Sequence, residues 1–186
     1  MGMPSRFRVA YGGLVAAMVV VVSLDQLSKW WAADNLDACG AARRSTFDLC
    51  LAFNQGMAFS AGWGRGPLIA ALAVAIVAVL LWSARTAPPV GRLLMGVVAG
   101  GAVGNLLDRA FREPLVGITP GFMKGAVVDF LYTSFWPTFN VADSAVVVGG
   151  ILLAIVLWRT PEFDEGHGSR EPDGTAEPTD PETSAS

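Results

Sequence analysis

The stretch LLMGVVAGGAVGNLLDR, Leu93 to Arg109, decides the fold: its uncharged part lies between Arg92 and Asp108 and closes on Asn105, Asp108 and Arg109. A helix needs roughly 20 apolar residues to cross about 30 Å of hydrocarbon. A run this short must borrow length from its polar flanks, which draws Asp108 toward membrane depth. Charge at that depth is costly, and its default reading is functional. Gly100, Gly101 and Gly104 inside the run suit close contact with a neighbouring helix.

Three further runs share this character. Val9 to Leu24 is uncharged and continues past Asp25 to Trp30 and Trp31, Gly66 to Ala84 is uncharged throughout, and Ser144 to Trp158 lies between Asp143 and Arg159. One such run is compatible with a soluble core helix; four are not. With 53% hydrophobic and 16% charged residues among 186 and a mean hydropathy of +0.48, the chain is more apolar than an ordinary soluble domain. The expected fold is an all-α membrane protein with four transmembrane helices and a small β-rich segment between the first and second spans.

The formal charge of -3 misleads, because Glu162, Asp164, Glu165, Glu171, Asp173, Glu177, Asp180 and Glu182 crowd the end of the chain. That end is rich in Pro, Ser, Thr and Gly and has no apolar run, so residues 161–186 are expected to form a disordered acidic tail behind a membrane domain of residues 1–160.

Alternation of the spans gathers the carboxylates. If the first span rises to Asp25, the third rises to Asp108 and the fourth descends from Asp143, all three share one membrane face. Asp129, in the connection between the third and fourth spans, joins them. Orientation is not decided by charge: six Lys and Arg fall on the terminal face and seven on the other, and two of those seven, Lys29 and Arg109, are candidate site residues. Arg6 and Arg8 before an apolar stretch imitate a secretory signal, but the run leads into Asp25 to Trp31 rather than a small-residue cleavage site, so it reads as an uncleaved span.

Thr46 to Phe53 alternates partially, carries β-favouring residues and breaks at Asn54-Gln55-Gly56, which predicts a short strand or hairpin on the carboxylate face, with a solvent loop as the alternative. Trp63, Gly64, Gly66 and Pro67 mark the turn into the second span. Spacing also groups the polar residues: Asp25 and Lys29 are four apart, Asn105 stands three before Asp108 and four before Arg109, and Asn140 stands three before Asp143. On a helix these separations stack side chains, giving each charge a partner where an unpaired polar atom costs several kcal/mol. Helix capping and snorkelling are the bland reading of any one group. Three groups on one face weaken it.

The chemistry available is narrow. His167 is the only histidine and lies in the tail, so a histidine-dependent serine triad or an HExxH zinc site is not expected. Ser28 and Lys29 are adjacent and do not face each other on a helix. Cys39 and Cys50 form a disulfide if their face is extracytoplasmic and are free structural thiols otherwise. Carboxylates remain. Two close acids do not both ionise easily, so one keeps a proton while the other acts as base, and the pair can activate water and protonate a leaving group without metal or cofactor.

The motifs Asp25-Gln-Leu-Ser-Lys29, Asn54-Gln-Gly56-Met-Ala58-Phe59, Gly104-Asn105-Leu-Leu-Asp108-Arg109, Val127-Val128-Asp129-Phe130 and Phe139-Asn140-Val-Ala142-Asp143 resemble, in order, the motif set of the lipoprotein signal peptidase (signal peptidase II) family. The resemblance covers about Asp25 to Trp158. It implies a four-span aspartyl endopeptidase of the bacterial cytoplasmic membrane, with both termini cytoplasmic and the site near the extracytoplasmic face. Its implied substrates are diacylglyceryl-modified prolipoproteins, cut just before the lipid-modified cysteine; membrane lipid and globomycin-type inhibitors are further implied partners, and no cofactor, metal or nucleic acid is. Carried onto matching positions, the catalytic pair is Asp129 and Asp143. Asp25, Lys29, Asn54, Gly56, Asn105, Asp108, Arg109, Asn140 and Ala142 would support the site or hold substrate. Spacing alone does not separate Asp129 from Asp108; the turn that Asp108 shares with Arg109 and Asn105 favours a permanently ionised, structural role for it.

The chain departs from the family pattern in the stretch Ala110 to Lys124, which is longer than expected and carries Gly117, Pro120 and Gly121. Met57 also stands where a smaller residue is usual. The rival reading is a small proton-coupled transporter or channel, which would distribute its carboxylates through the membrane depth rather than gather them at one face.

Overall fold

The structure, a computed structural model, describes residues 5–40, 45–56, 66–117 and 119–159, with backbone alone for 5–10. The expected acidic tail, and Met57, Ala58, Phe59, Trp63 and Gly64, lie outside the described residues. The chain runs α1 (Ser5–Asn35), β1 (Phe47–Asn54), α2 (Gly66–Ser83), α3 (Pro89–Phe111), β2 (Val127–Thr133) and α4 (Val141–Trp158). All four helices are long and apolar enough to cross a membrane. The expected four spans are present, and three are extended at their polar ends: α3 runs past Leu107 through Asp108 and Arg109, α1 runs past Asp25 and Lys29, and α4 begins before Asp143, while α2 keeps to its apolar run.

The sequence LLMGVVAGGAVGNLLDR forms the centre of the bundle. Half of the α3 span is buried, against 11%, 11% and 17% for α1, α2 and α4, because its glycines admit two neighbours at backbone distance. A Cβ at Gly96 would strike the Leu14 backbone, one at Gly100 would strike Met18 and Val21, and one at Gly104 would strike the Asp25 carboxylate. Gly101 faces the other way, onto the Ala142 carbonyl and Val146 of α4. Such close approach is how helices associate where lipid removes the hydrophobic incentive. At the end remote from the carboxylates, Leu14, Ala84, Met95 and Leu153 form a buried apolar cluster.

Local signals set the helix starts. Pro89 occupies the first turn of α3, where its missing N–H is not needed. α4 opens with a capping box: the Asn140 side chain accepts from the Asp143 N–H while the Asp143 carboxylate accepts from the Asn140 N–H.

The strand expected over Thr46 to Phe53 is β1. Its partner comes from elsewhere than expected: β2, from the connection between the third and fourth spans, pairs with it antiparallel. The register shifts between Leu49 and Ala52, which frees Leu51 to exchange hydrogen bonds with Asp37 and Cys39. Cys39 and Cys50 form a disulfide beside that irregularity. After β2, Phe139 returns to pair with Leu131, its carbonyl accepting from the Phe130 and Leu131 N–H groups. That return places Asn140, and so the start of α4, against β2.

Candidate active site

Two buried polar layers occupy the ends of α1, α3 and α4. In the lower layer, the Lys29 ammonium uses its three donors on Asp25 Oδ2 at 2.8 Å, Asp108 Oδ2 at 2.9 Å and Asn105 Oδ1 at 2.8 Å. Lys29, Asp25 and Asp108 are inaccessible to solvent or nearly so, and a charge buried this completely persists only when paired. The carboxylates use their remaining oxygens to fix backbone. Asp25 Oδ1 accepts from the Ala142 N–H at 2.9 Å, an otherwise orphaned donor in the first turn of α4. Asp108 Oδ2 accepts from Val128 N–H of β2 at 3.2 Å, and its Oδ1 accepts from Arg112 Nε at 2.9 Å. The ion network thereby locks α1, α3, α4 and β2 to one another.

The cations on Asp108 are Lys29 and Arg112; Arg109, its neighbour in sequence, instead donates from one terminal nitrogen to the Gly56 carbonyl at 3.1 Å. Adjacent helical residues diverge by about 100°, whereas Arg112 lies one turn on and stacks over Asp108. The other terminal nitrogen of Arg109, Nη1, is buried with no hydrogen-bond partner.

The upper layer holds the second pair of acids. Asp129, on β2, is buried; its Oδ1 accepts from Asn140 Nδ2 at 2.7 Å and its Oδ2 from Asn54 Nδ2 at 3.2 Å. Asp143, in the first turn of α4, accepts from Asn105 Nδ2 at 2.7 Å and from the Asn140 N–H at 3.2 Å. Asn105 and Asn140 are themselves joined at 3.2 Å, so an asparagine bridge connects the two acids to each other and, through Lys29, to the ion layer below. Asn54 is aimed by a local turn in which its Oδ1 accepts from the Gly56 N–H at 2.9 Å.

Burial first, and then the nearby Asp143 carboxylate, push the Asp129 carboxyl from the ordinary aspartate range up to about 7, against the opposing hydrogen bonds from Asn54 and Asn140 and the charge of Lys29. A carboxyl poised there keeps its proton near neutrality and can give it away, which is the property that acid–base chemistry requires. Among the described residues no group of three His, Cys, Asp or Glu side chains is arranged as a metal site.

Asp143, Asn105, Arg109 and Asn54 border a cavity of about 420 Å³ whose remaining wall is mostly apolar, from Ile69, Leu72 and Ile76 of α2 to Val146 and Val147 of α4. It exists because α2 and α4 each pack on α3 and not closely on each other. The structure therefore brings together all the residues singled out in the sequence: Asp25, Lys29, Asn105, Asp108, Asn140 and Ala142 in the two layers, Asn54, Gly56, Arg109 and Asp143 around the cavity, and Asp129 behind Asn54, to which it is hydrogen-bonded.

Two residues escaped the sequence reading. Gln26 donates to Asp25 Oδ2 at 3.1 Å, to the Gly104 carbonyl at 3.1 Å and to Asp108 Oδ1 at 3.3 Å; nothing in its position beside Asp25 distinguishes it from an exposed glutamine. Arg112 had a usable signal, its four-residue spacing from Asp108.

A four-span bundle whose polar residues converge at one end, with a buried acid, Asp129, joined through asparagines to a half-buried one, Asp143, that borders an apolar cavity, defines a membrane protein of the acid-pair class. Residues 17–159 match the family model described as signal peptidase (SPase) II, and the chain belongs to that family. It is accordingly a bacterial membrane peptidase of the aspartic class. Similar relatives include the lipoprotein signal peptidase of Mycobacterium tuberculosis (strain H37Rv), 37% identical over 174 residues, covering 92% of this chain and 81% of the relative. That of Rhodococcus jostii is 40% identical over 140 residues, covering 74% and 68%. A solved bacterial membrane enzyme shares the fold with a TM-score of 0.66 at 23% identity, over 85% of this chain and 94% of that one.

Proposed function

We propose that this chain removes the signal peptide from diacylglyceryl-modified prolipoproteins, cutting just before the lipid-modified cysteine, with Asp129 and Asp143 as its catalytic acids. The observation that carries this reading is the asparagine bridge: Asn140 holds Asp129 and caps the helix bearing Asp143, so two acids from separate elements are tied together, and Asp143 borders a cavity bounded by apolar helix faces. The apolar wall suits a signal peptide and its lipid, and the polar end suits the scissile peptide and globomycin-type inhibitors.

In the mechanism, water sits between the acids. The ionised acid takes a proton from the water as its oxygen attacks the scissile carbonyl carbon. The protonated acid, to which the burial of Asp129 fits that residue, stabilises the oxyanion and its proton passes to the leaving nitrogen as the C–N bond breaks. Asp25, Lys29 and Asp108 pair with one another and act as scaffold. The unpartnered Nη1 of Arg109, which borders the cavity, is available to a substrate backbone carbonyl.

The site end faces the extracytoplasmic side in this reading. The Cys39–Cys50 disulfide at that end supports it, since disulfides persist in oxidising compartments. An even number of spans then puts both termini, including the acidic segment 161–186 that follows the membrane domain of residues 1–160, in the cytoplasm. A transporter is not favoured, because the carboxylates gather at one end instead of lining a path.

The test is cleavage of a diacylglyceryl-modified prolipoprotein by the purified protein in detergent, beside Asp129→Asn and Asp143→Asn. Cleavage by wild type alone, unchanged by a chelator, is the expected result. Cleavage by either variant at the wild-type rate would remove the acid pair from the mechanism.

A further inference from the structure

The segment between α3 and β2 is not used by the site chemistry, yet it exposes large apolar side chains. Its base is closed by the Gly125 N–H on the Arg109 carbonyl at 3.0 Å and the Ala126 N–H on the Glu113 carbonyl at 3.1 Å. Between these ties Val116 is fully exposed and Phe122 is 79% exposed; Phe111, at the end of α3, is 82% exposed.

The height of this segment follows from the parallel packing of α1 and α3. Leu14 lies against Gly96, Asp25 against Gly104 and Lys29 against Asp108, a register that carries Phe111 to the level of Trp31. Trp30 and Trp31 are exposed at the polar end of a spanning helix, where tryptophan marks the boundary of hydrocarbon and headgroups. The 112–124 loop leaves α3 at that boundary and returns to it, since Gly125 is tied back to Arg109. Its apolar side chains are thus continuous with the lipid-facing belt of the bundle rather than isolated in water.

The inner side of the loop is fixed. The Gln55 side-chain amide, oriented to satisfy both contacts, donates to the Lys124 carbonyl at 3.0 Å and accepts from the Leu115 N–H at 2.6 Å. Gly66, the first residue of α2, lies so close to the Met123 carbonyl that a Cβ would not fit. Met123 adopts a left-handed backbone conformation, φ 54°, which a non-glycine residue holds only when its surroundings require it.

We propose that the 112–124 loop is a lipid-seated strut: Val116 and Phe122 insert into the interfacial region of the bilayer leaflet at the site end. Through Gln55 the loop holds the Asn54–Gly56 wall of the cavity. The inserted side chains lose water contact as an interfacial amphipathic segment does, and the seated loop cannot drift from the β1 end that aims Asn54 at Asp129. The inference does not depend on the peptidase reading, and neither does its test.

The experiment introduces Val116→Cys and Phe122→Cys separately, labels each with the fluorophore NBD, and places the protein in nanodiscs of phosphatidylcholine and phosphatidylglycerol. The native cysteines are tied in a disulfide, so the label reports the new thiol, and both positions are too exposed for the change to disturb packing. Expected at both positions is quenching by aqueous iodide severalfold weaker than for NBD on N-acetylcysteine, together with strong quenching by lipids spin-labelled high on the acyl chain. Iodide quenching equal to the free adduct would put the loop in water and overturn the proposal. Protection from iodide without lipid quenching would mean that protein covers the loop, and would overturn it equally.

Discussion

The Asn140 side chain donates to Asp129 Oδ1 at 2.7 Å, so one residue that caps α4 also fixes an acid on β2. The two duties are separable. Asn140→Ser keeps an oxygen that can cap the helix but is too short to reach Asp129; Asn140→Ala loses both. The alanine variant is expected to be less stable than the serine variant by about 1 kcal/mol, the usual worth of a cap. Both are expected to lose on the order of 100-fold in kcat, since a misplaced catalytic group costs that much, with KM little changed. Kinetics of purified variants beside thermal unfolding check this; a serine variant with wild-type kcat would show that the Asp129 contact is idle.

The raised Asp129 carboxyl predicts a pH signature in stability. The unfolded aspartate releases its proton near 3.8 and the folded one near 7, so between those values the folded state binds more protons. Stability therefore falls as pH rises through that window and is level above it, by an amount on the order of 4 kcal/mol at most. Asp129→Asn removes the titrating group and is expected to flatten this slope. Unfolding temperatures of the two proteins from pH 4 to 8 decide it: parallel curves would mean that Asp129 titrates as an ordinary aspartate. Activity should likewise decline as pH rises past about 7, as the proton-giving acid is lost, with the limb belonging to the coupled pair and not to one residue.

Lys29 is the cation on which the lower layer depends, contacting Asp25 and Asp108 with all three side chains buried. Removing one member of such a group leaves uncompensated buried charge, a cost of about 3–5 kcal/mol. Lys29→Met is expected to lower stability by that order, and Asp25→Asn in the same chain to restore part of it. A Lys29→Met protein that unfolds at the wild-type temperature would refute the buried ion network as a source of cohesion.

How much of this was legible in the sequence differs by element. The four spans and the convergence of Asp25, Asp108, Asp129 and Asp143 followed from run lengths and alternation, because membrane depth imposes both. β1 followed from its alternation, but its partner did not: Val127 to Thr133 reads as an apolar segment, and strand pairing across more than seventy residues leaves no local mark. The hydrogen-bond partners of Arg109 and Asp108 were not legible: the two are adjacent in sequence, but Arg109 donates to the Gly56 carbonyl while Asp108 is held by Lys29 and Arg112. The resemblance to the signal peptidase II family supplied the choice of Asp129 and Asp143 over the other acids. The geometry is consistent with that choice, since Asp108 is held by Lys29, Arg112 and Val128, while Asp129 is held by neutral amides only.

Gly101 tests whether this geometry depends on the α3–α4 approach. A Cβ there would overlap the Ala142 carbonyl and crowd Val146, in the first turns of the helix that carries Asp143. One residue turn further along α3, Asn105 donates to Asp143 at 2.7 Å, a contact that survives only while the helices remain this close. Gly101→Ala must push α4 outward by enough to admit a methyl group, and overpacking of this kind costs about 1–3 kcal/mol. The displacement is expected to reduce kcat more than it reduces stability, because Asn105 and Asn140 would no longer hold both acids at once. Gly13→Ala is the control: a Cβ at Gly13 meets nothing within 4 Å, so its stability and kcat should match wild type. If Gly101→Ala keeps full activity while losing stability, the helix contact serves folding alone and the acid pair tolerates movement of α4.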